Sequence, residues 1–242
     1  MLEIKNGAIF VADVHCMPED SSFYEFLDAI LCEKIKCNQL ILLGDIFALL
    51  IGKIPKSIQD NKKVIDKINE LANKIELIYF AGNHDFYLDN IFTNVKIYKR
   101  EVVFARHNNK ILCLAHGDIF LPKFTQFALN LLQNNFILTF LCLLNTLCFN
   151  LIYKKICNRQ KVKILYKKLE NFKEIVSKRM QSYKAFLEKN DLKIDMIIEG
   201  HFHQGKSYKF DNVDYFNLDA FANDRSFFIL EYAELKKQCF KK

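Results

Sequence analysis

The chain has 242 residues, 51% of them hydrophobic, and a formal net charge of +7. That is enough apolar material for one large packed domain, or for a domain carrying an insertion, and it excludes a disordered chain or a small stapled scaffold. Eight cysteines without a Cys-x-x-Cys pair read as reduced thiols, and Met1-Leu2-Glu3-Ile4-Lys5 lacks the basic and apolar regions of an export signal, so a cytoplasmic protein is expected.

Ala8-Ile9-Phe10-Val11-Ala12 has the length and composition of a buried strand, and it delivers Asp13 and His15 at its C-terminal end. A helix is predicted from Ser21 to about Lys36, with Phe23, Phe26, Leu27, Ile30 and Leu31 on one face. Gln39 to Leu43 is a second strand ending at Gly44-Asp45, which completes a β-α-β unit and points to a layered α/β sheet. A helix over Ser57 to Asn73 follows, buried through Val64, Ile65, Ile68 and Leu71. A third strand, Glu76 to Ala81, delivers Asn83 and His84, and a fourth, Ile111 to Ala115, delivers His116. Each of these polar residues lies just past a strand's C-terminal end, where open α/β sheets form their ligand crevices.

After His116 the pattern changes. No residue from Gln126 to Tyr153 is charged, and Phe136 to Tyr153 is long enough to raise the question of a membrane span. A single crossing is excluded, because it would separate His116 from His201 by a bilayer. A helical cap over 119–193, inserted between core segments 1–118 and 194–242, is expected instead, with its apolar surface against lipid. Between Lys154 and Lys184 stand eleven lysines and arginines against only Glu170 and Glu174. An apolar face beside basic residues is how a protein lies on an anionic membrane without crossing it. Val162, Leu165, Leu169, Phe172, Val176, Met180, Tyr183 and Leu187 recur at steps of three or four, which predicts one long amphipathic helix. The same lysines lack the spaced aromatic platform of single-strand binders, which argues against nucleic acid as a partner. Met196-Ile197-Ile198 returns the chain to the core, and Lys206 to Phe210, Val213 to Leu218 and Ser226 to Glu231 finish the sheet, with Asp211-Asn212 as a tight turn.

His201 and His203, two residues apart, project to one side of an extended backbone and can face one point. Five of the six histidines lie in such strand-end segments, leaving only His107 outside them. Asp13, His15, Asp45, Asn83, His116, His201 and His203 together offer two carboxylates, one amide and four imidazoles. That set is too large for one tetrahedral zinc and suits two divalent ions sharing a bridging carboxylate. Nitrogen and oxygen donors without thiolate favour Mn, Fe, Zn or Co. Two such ions activate water and neutralise phosphoryl oxygens, so the implied chemistry is hydrolysis of a phosphate ester or anhydride.

The order Asp-x-His, Gly-Asp, Gly-Asn-His-Asp, His-Gly-Asp, Gly-His-x-His, running from residue 13 to 203, resembles the calcineurin-like metallophosphoesterase family. The resemblance implies a layered β-sandwich flanked by helices. It implies Asp13, His15 and His203 on a first metal, Asn83, His116 and His201 on a second, and Asp45 as the bridge. By the same resemblance His84 is catalytic, contacting the phosphoryl group or protonating the leaving oxygen, and Asp85 and Asp118 orient neighbours. Within the family the chain looks most like the UDP-2,3-diacylglucosamine diphosphatases of lipid A synthesis, through Gly44-Asp45-Ile46-Phe47, Gly82 to Phe86, His116-Gly117-Asp118, its length and its helical insert. That likeness implies two Mn²⁺ ions and a nucleotide-sugar lipid cleaved at its α-phosphate to UMP and 2,3-diacylglucosamine 1-phosphate. It also implies a peripheral position on the cytoplasmic face of the inner membrane. Two positions depart from the pattern: Ala48 stands where many relatives have an acid, and His84 where some lipid-processing members have arginine. The alternative reading is a soluble metallophosphoesterase acting on a nucleotide or another phosphate ester.

Overall fold

A computed structural model describes residues 1–161 and 167–241. Strands β1 (Leu2–Glu3), β2 (Ala8–Val11), β3 (Gln39–Leu43), β4 (Leu50–Ile51), β5 (Glu76–Phe80), β6 (Asp85–Phe86) and β7 (Val95–Tyr98) come from the first hundred residues. They are followed by β8 (Val103–His107), β9 (Lys110–Ala115), β10 (Met196–Glu199), β11 (Lys206–Phe210), β12 (Val213–Asn217), β13 (Ser226–Glu231) and β14 (Glu234–Cys239). Every residue of β2, β3 and β10 is buried, as expected of central strands covered on both faces.

Among the described residues these strands form two six-stranded sheets, ordered β14-β13-β2-β3-β5-β7 and β1-β8-β9-β10-β12-β11, with β4 and β6 as a separate pair. In the first sheet β2, β3, β5 and β7 run parallel, with Ile9 opposite Leu40 and Leu40 opposite Leu77. In the second, β10 runs parallel to both β9 and β12, with Ile197 between Cys113 and Tyr215. Because side chains alternate along a strand, one set from each sheet meets in the middle. Phe10, Ile41, Leu43 and Ile78 pack there against Ala105, Leu112, Leu114 and Ile198.

The outer faces are covered by helices. Ile9, Val11, Leu40, Leu42 and Tyr79 pack under α1 (Ser22–Leu31) and α3 (Lys62–Ala72), which contribute Phe23, Phe26, Leu27, Ile65 and Ile68. The result is the helix-flanked α/β sandwich expected from the sequence.

Three elements differ from their predicted extents. The first helix stops at Leu31 rather than near Lys36, because Glu33 turns left-handed (φ 58°) and the Ile35 N–H closes back onto the Ala29 carbonyl, as a helix C-cap does. The helix predicted over Ser57 to Asn73 is two, α2 (Pro55–Asp60) and α3, broken at Asn61. The Asn61 amide donates to the carbonyls of Leu49 and Ser57 and so ties the break to the β4 segment.

Between β9 and β10 lie α4 (Lys123–Leu132), α5 (Asn135–Leu147), α6 (Leu151–Lys161) and α7 (Phe172–Lys189). The predicted single helix through the basic segment is not continuous. Val162 and Leu165 lie outside the described residues, and Leu169 precedes α7 in non-helical backbone. There Gln204 accepts the Leu169 N–H and donates to the Lys167 carbonyl, giving these backbone groups partners outside any helix. α7 packs on the second sheet through Phe172, Val176 and Tyr183 against Cys113, Ile197 and Tyr215.

α4, α5 and α6 stand apart from that layering. Leu138 and Tyr153 are buried against Leu49, Ile51 and Ile54, while Phe124, Phe127, Phe136, Phe140, Phe149 and Leu151 are exposed. Among the described residues no single helix is long and apolar enough to cross a membrane; α4 and α5 pass only as a pair, bent by 61°.

Candidate metal centre

The parallel strands of both sheets end at the same rim, and the predicted polar residues sit in the turns that follow. Asp13, His15, Asp45, His201 and His203 all have left-handed backbone, with φ between 46° and 67°. Non-glycine residues seldom adopt this region, and each instance costs about 1–3 kcal/mol. Five in one cluster mark a place where the surrounding fold holds side chains against their local preference.

Glycines supply the room. At Gly44, with φ +85°, a Cβ would collide with the His116 ring, and at Gly82 it would collide with the Asp45 carboxylate. Both positions therefore need a residue without a side chain.

Among the described residues three groups of donor atoms form, each with its atoms within 4.8 Å of one another: Asp13, His15 and His203; His15, Asp45 and His84; Asp45, His116 and His201. Asp45 belongs to two of the three. Its Oδ2 lies 3.5 Å from His116 Nε2 and 4.0 Å from His15 Nε2. His203 Nε2 is 3.2 Å from Asp13 Oδ1 and 3.4 Å from His15 Nε2. The His201 N–H, after β10, donates to Asp13 Oδ2 (2.8 Å), after β2, and so joins the two sheets, while the His84 N–H donates to Asp45 Oδ1 (2.8 Å) and ties together two loops of the first sheet.

Tautomers follow from the partners. A carbonyl can only accept, so His116 Nδ1, 2.9 Å from the Leu43 oxygen, carries a proton and leaves Nε2 facing Asp45. His84 Nδ1 likewise donates to the Ala48 carbonyl at 2.8 Å. Burial disfavours charge on His116, but Asp45 and Asp118 hold its pKa well above the ordinary value. Asp45 is buried too, and the nearby imidazoles hold its carboxyl well below the usual range.

Would cations fit here? Asp13 Oδ1, His15 Nδ1, Asn83 Oδ1, His116 Nε2 and His201 Nδ1 are buried without a hydrogen-bond partner among the described residues. Buried polar atoms are almost always paired, and so many unpaired donors facing one rim fit a site made for positive ions. Asp13, His15, Asp45, His116, His201, His203 and His84 are thus brought together, with Asn83 beside them in sequence.

Asp85 and Asp118 lie behind the cluster. Asp85 accepts the N–H groups of Asp45 (3.1 Å), Ile46 (2.5 Å), Phe47 (3.3 Å) and Gly82 (2.7 Å), and the Tyr79 hydroxyl (2.6 Å). It pins both loops that carry Asp45 and Asn83. Asp118 pairs with Arg100, Nε to Oδ2 2.7 Å, both side chains being buried. The sixth histidine, His107, is structural: it is buried, with Nδ1 3.0 Å from the Ile4 carbonyl.

Sequence reasoning missed a second support. Glu199, fully buried one residue before Gly200, takes a fork of two hydrogen bonds from Arg179 (2.8 and 2.7 Å), one from Tyr183 (2.7 Å) and one from Tyr215. A carboxylate at the end of Met196-Ile197-Ile198 was itself the signal, since a charge in a buried strand needs a partner. Arg179 sits three residues past Val176 and four before Tyr183, on the buried stripe of α7.

Imidazoles and carboxylates gathered where two sheets end define the architecture of a metallophosphoesterase. The calcineurin-like phosphoesterase family model matches residues 8–205, and the chain belongs to that family, whose members use divalent metals. Among named relatives, a UDP-2,3-diacylglucosamine hydrolase of Coxiella burnetii is 29% identical over 114 residues, 46% of each chain. One from Aliivibrio fischeri is 30% identical over 115 residues, 46% of this chain and 47% of the relative. The matched stretch thus spans about half the length of these relatives. Similar solved structures include an archaeal phosphodiesterase (TM-score 0.47, 13% identity, covering 96% of this chain and 99% of the other). Another is Yfce, a phosphoesterase from E. coli (TM-score 0.46, 14% identity, covering 97% and 99%).

Proposed function

We propose that the chain hydrolyses the diphosphate of UDP-2,3-diacylglucosamine at the α-phosphate, giving UMP and 2,3-diacylglucosamine 1-phosphate. The observation that carries this reading is the strand-end cluster of donors meeting at Asp45, beside a group of helices whose apolar side chains face outward. The distant relatives that bear the name of this activity support the choice of substrate.

In this reading Asp13, His15 and His203 would hold one divalent ion and Asn83, His116 and His201 a second, with Asp45 as the ligand shared between them and manganese the expected metal. Such ions, when bound, supply an activated water and neutralise charge on the phosphoryl oxygens. The chain's own residues do the rest. Asp85 and the Leu43 carbonyl fix Asp45 and His116, and His84, its Nδ1 held by Ala48, turns Nε2 toward the reacting phosphoryl group to stabilise it or to protonate the leaving oxygen.

The division into a core (1–118 and 194–242) and an inserted cap (119–193) belongs to the same proposal, with α7 as the part of the insert that returns onto the sheet. α4 to α6 take the acyl chains and rest on the cytoplasmic face of the inner membrane. Mass-spectrometric product analysis with UDP-2,3-diacylglucosamine and Mn²⁺ tests the reading. UMP with the lipid monophosphate is the expected result; UDP with a free sugar lipid, or no turnover, overturns it.

A further inference from the structure

α6 meets the core along one stripe, Tyr153, Cys157 and Lys161, spaced four apart and therefore stacked on one helix face. The stripe begins apolar, with Tyr153 buried against Leu49, Ile51 and Ile54 and Cys157 partly buried beside it. It ends in a charge: Lys161 Nζ reaches Glu19 Oε1, 2.6 Å away, in the loop that follows His15.

This crossing separates two cavities. One, of about 320 Å³, is bounded by Val14, His15, Asp20, Gln160 and Ala222 and so opens off the metal centre. The other, of about 230 Å³, runs between Asp60, Asn61, Tyr153, Lys154 and Asn158. Met17, Glu19, Ala48 and Lys161 border both.

The polar groups around the first cavity are unevenly committed. Asp20 accepts the N–H and hydroxyl of Ser22 (2.8 and 2.7 Å), which fixes its carboxylate at the start of α1. Gln160 Oε1 is buried without a hydrogen-bond partner among the described residues. Lys161 and Glu19 are 47% and 57% exposed, and an ion pair that wet is worth little, so either member can change partner.

We infer that the cavity beside His15 is a second anion subsite, which takes the phosphate next to the one at the metal centre, with Lys161 as its cation and Glu19 holding Lys161 in its absence. The inference rests on the proposed reading of the donor cluster as a metal centre. It makes a diphosphate, with two linked phosphates to place, a better ligand than a monophosphate. A charge-assisted hydrogen bond from the ammonium to the second phosphate takes the place of the pair with Glu19.

Calorimetric titration of the full chain in Mn²⁺ with UMP and with UDP tests this. UDP is expected to bind about tenfold more tightly than UMP, a preference that Lys161→Met abolishes, Lys161→Arg keeps, and Glu19→Gln widens roughly threefold. A preference that survives Lys161→Met, or equal binding of the two nucleotides by the native chain, overturns the subsite. A chain that binds neither Mn²⁺ nor nucleotide overturns the metal centre beneath it. A UDP preference with no UMP released from the lipid-linked substrate refutes the proposed function and leaves the subsite standing.

Discussion

Asp45 is the residue at which the two halves of the centre meet, and its charge can be removed with little change in shape. Asp45→Asn is expected to reduce bound divalent metal and to lower turnover on the order of a hundredfold or more, read by metal analysis and initial rates. The imidazoles predict a pH response of the metal-free protein. Burial lowers His15 to about 4 and His201 to about 3 from 6.5. The unfolded chain takes up these protons as pH falls through 6.5, while the folded chain does not until much lower. Their contribution to stability is therefore complete above 6.5 and lost as pH drops toward 4. His116, held above its ordinary value by Asp45 against burial, works in the opposite sense as pH rises. Melting temperatures of the chelator-treated protein are expected to fall below about pH 6.5, with Asp85, pushed up to about 7 by burial, and Asp118, also pushed up by burial, offsetting part of that loss by taking up protons in the folded chain; a rise in melting temperature from pH 6.5 to 4.5 would contradict the burial of neutral imidazoles. These donors could be read in the sequence because each follows a short apolar run, and strand ends are where such folds gather ligands. Arg179 and Glu199 could not be paired by reading, because they lie 20 residues apart on different elements and only packing brings them together.

At the scale of elements, α7 acts as a clamp on β10. Arg179 is buried, forks onto Glu199, and donates to the Ile119 carbonyl (2.8 Å), so it joins the helix, the strand that leads to His201 and the chain entering the cap. Arg179→Leu leaves Glu199 buried without its cation and is expected to cost about 3–5 kcal/mol, measured by urea unfolding. Arg179→Leu with Glu199→Gln is expected to recover part of that loss. The long helix expected from Val162 onward is not continuous for a related reason: the three-and-four spacing of Leu169 and Phe172 is real, but the backbone before Phe172 is occupied by Gln204 rather than by a helical ladder. Similarly, apolar periodicity ran through Asn61 without revealing that its amide breaks the helix in two.

Over the whole molecule, apolar surface is divided unequally. The sandwich buries its large side chains, whereas Phe124 and Phe136 on the helices beyond it are each 83% exposed. Lys154, Lys155 and Arg159 follow on α6, and in the proposed reading they face an anionic bilayer. Replacing Phe124, Phe136 and Phe140 by serine is expected to weaken cosedimentation with anionic vesicles by roughly tenfold or more, while thermal unfolding of the core stays within a degree or two. Equal binding of the unaltered protein to neutral and anionic vesicles would remove the role given to the basic residues. The sequence showed this stretch to be apolar and uncharged; which of its side chains face outward depends on the bend between α4 and α5, and no local pattern specifies that angle.

The donors also carry an order in time. A ribosome delivers Asp13 and His15 first, Asp45 next, then Asn83 and His116, and His201 and His203 only after the stretch that carries α4 to α7 has been made. Until β10 slides in beside β9, a nascent chain offers five of the seven proposed donors, Asp13, His15, Asp45, Asn83 and His116, and in the proposed reading full retention of metal waits for the last sheet to close. Refolding followed by metal uptake should therefore lag behind refolding followed by helix content, and a chain released before residue 201 should fail to keep its ions however well its first sheet has formed.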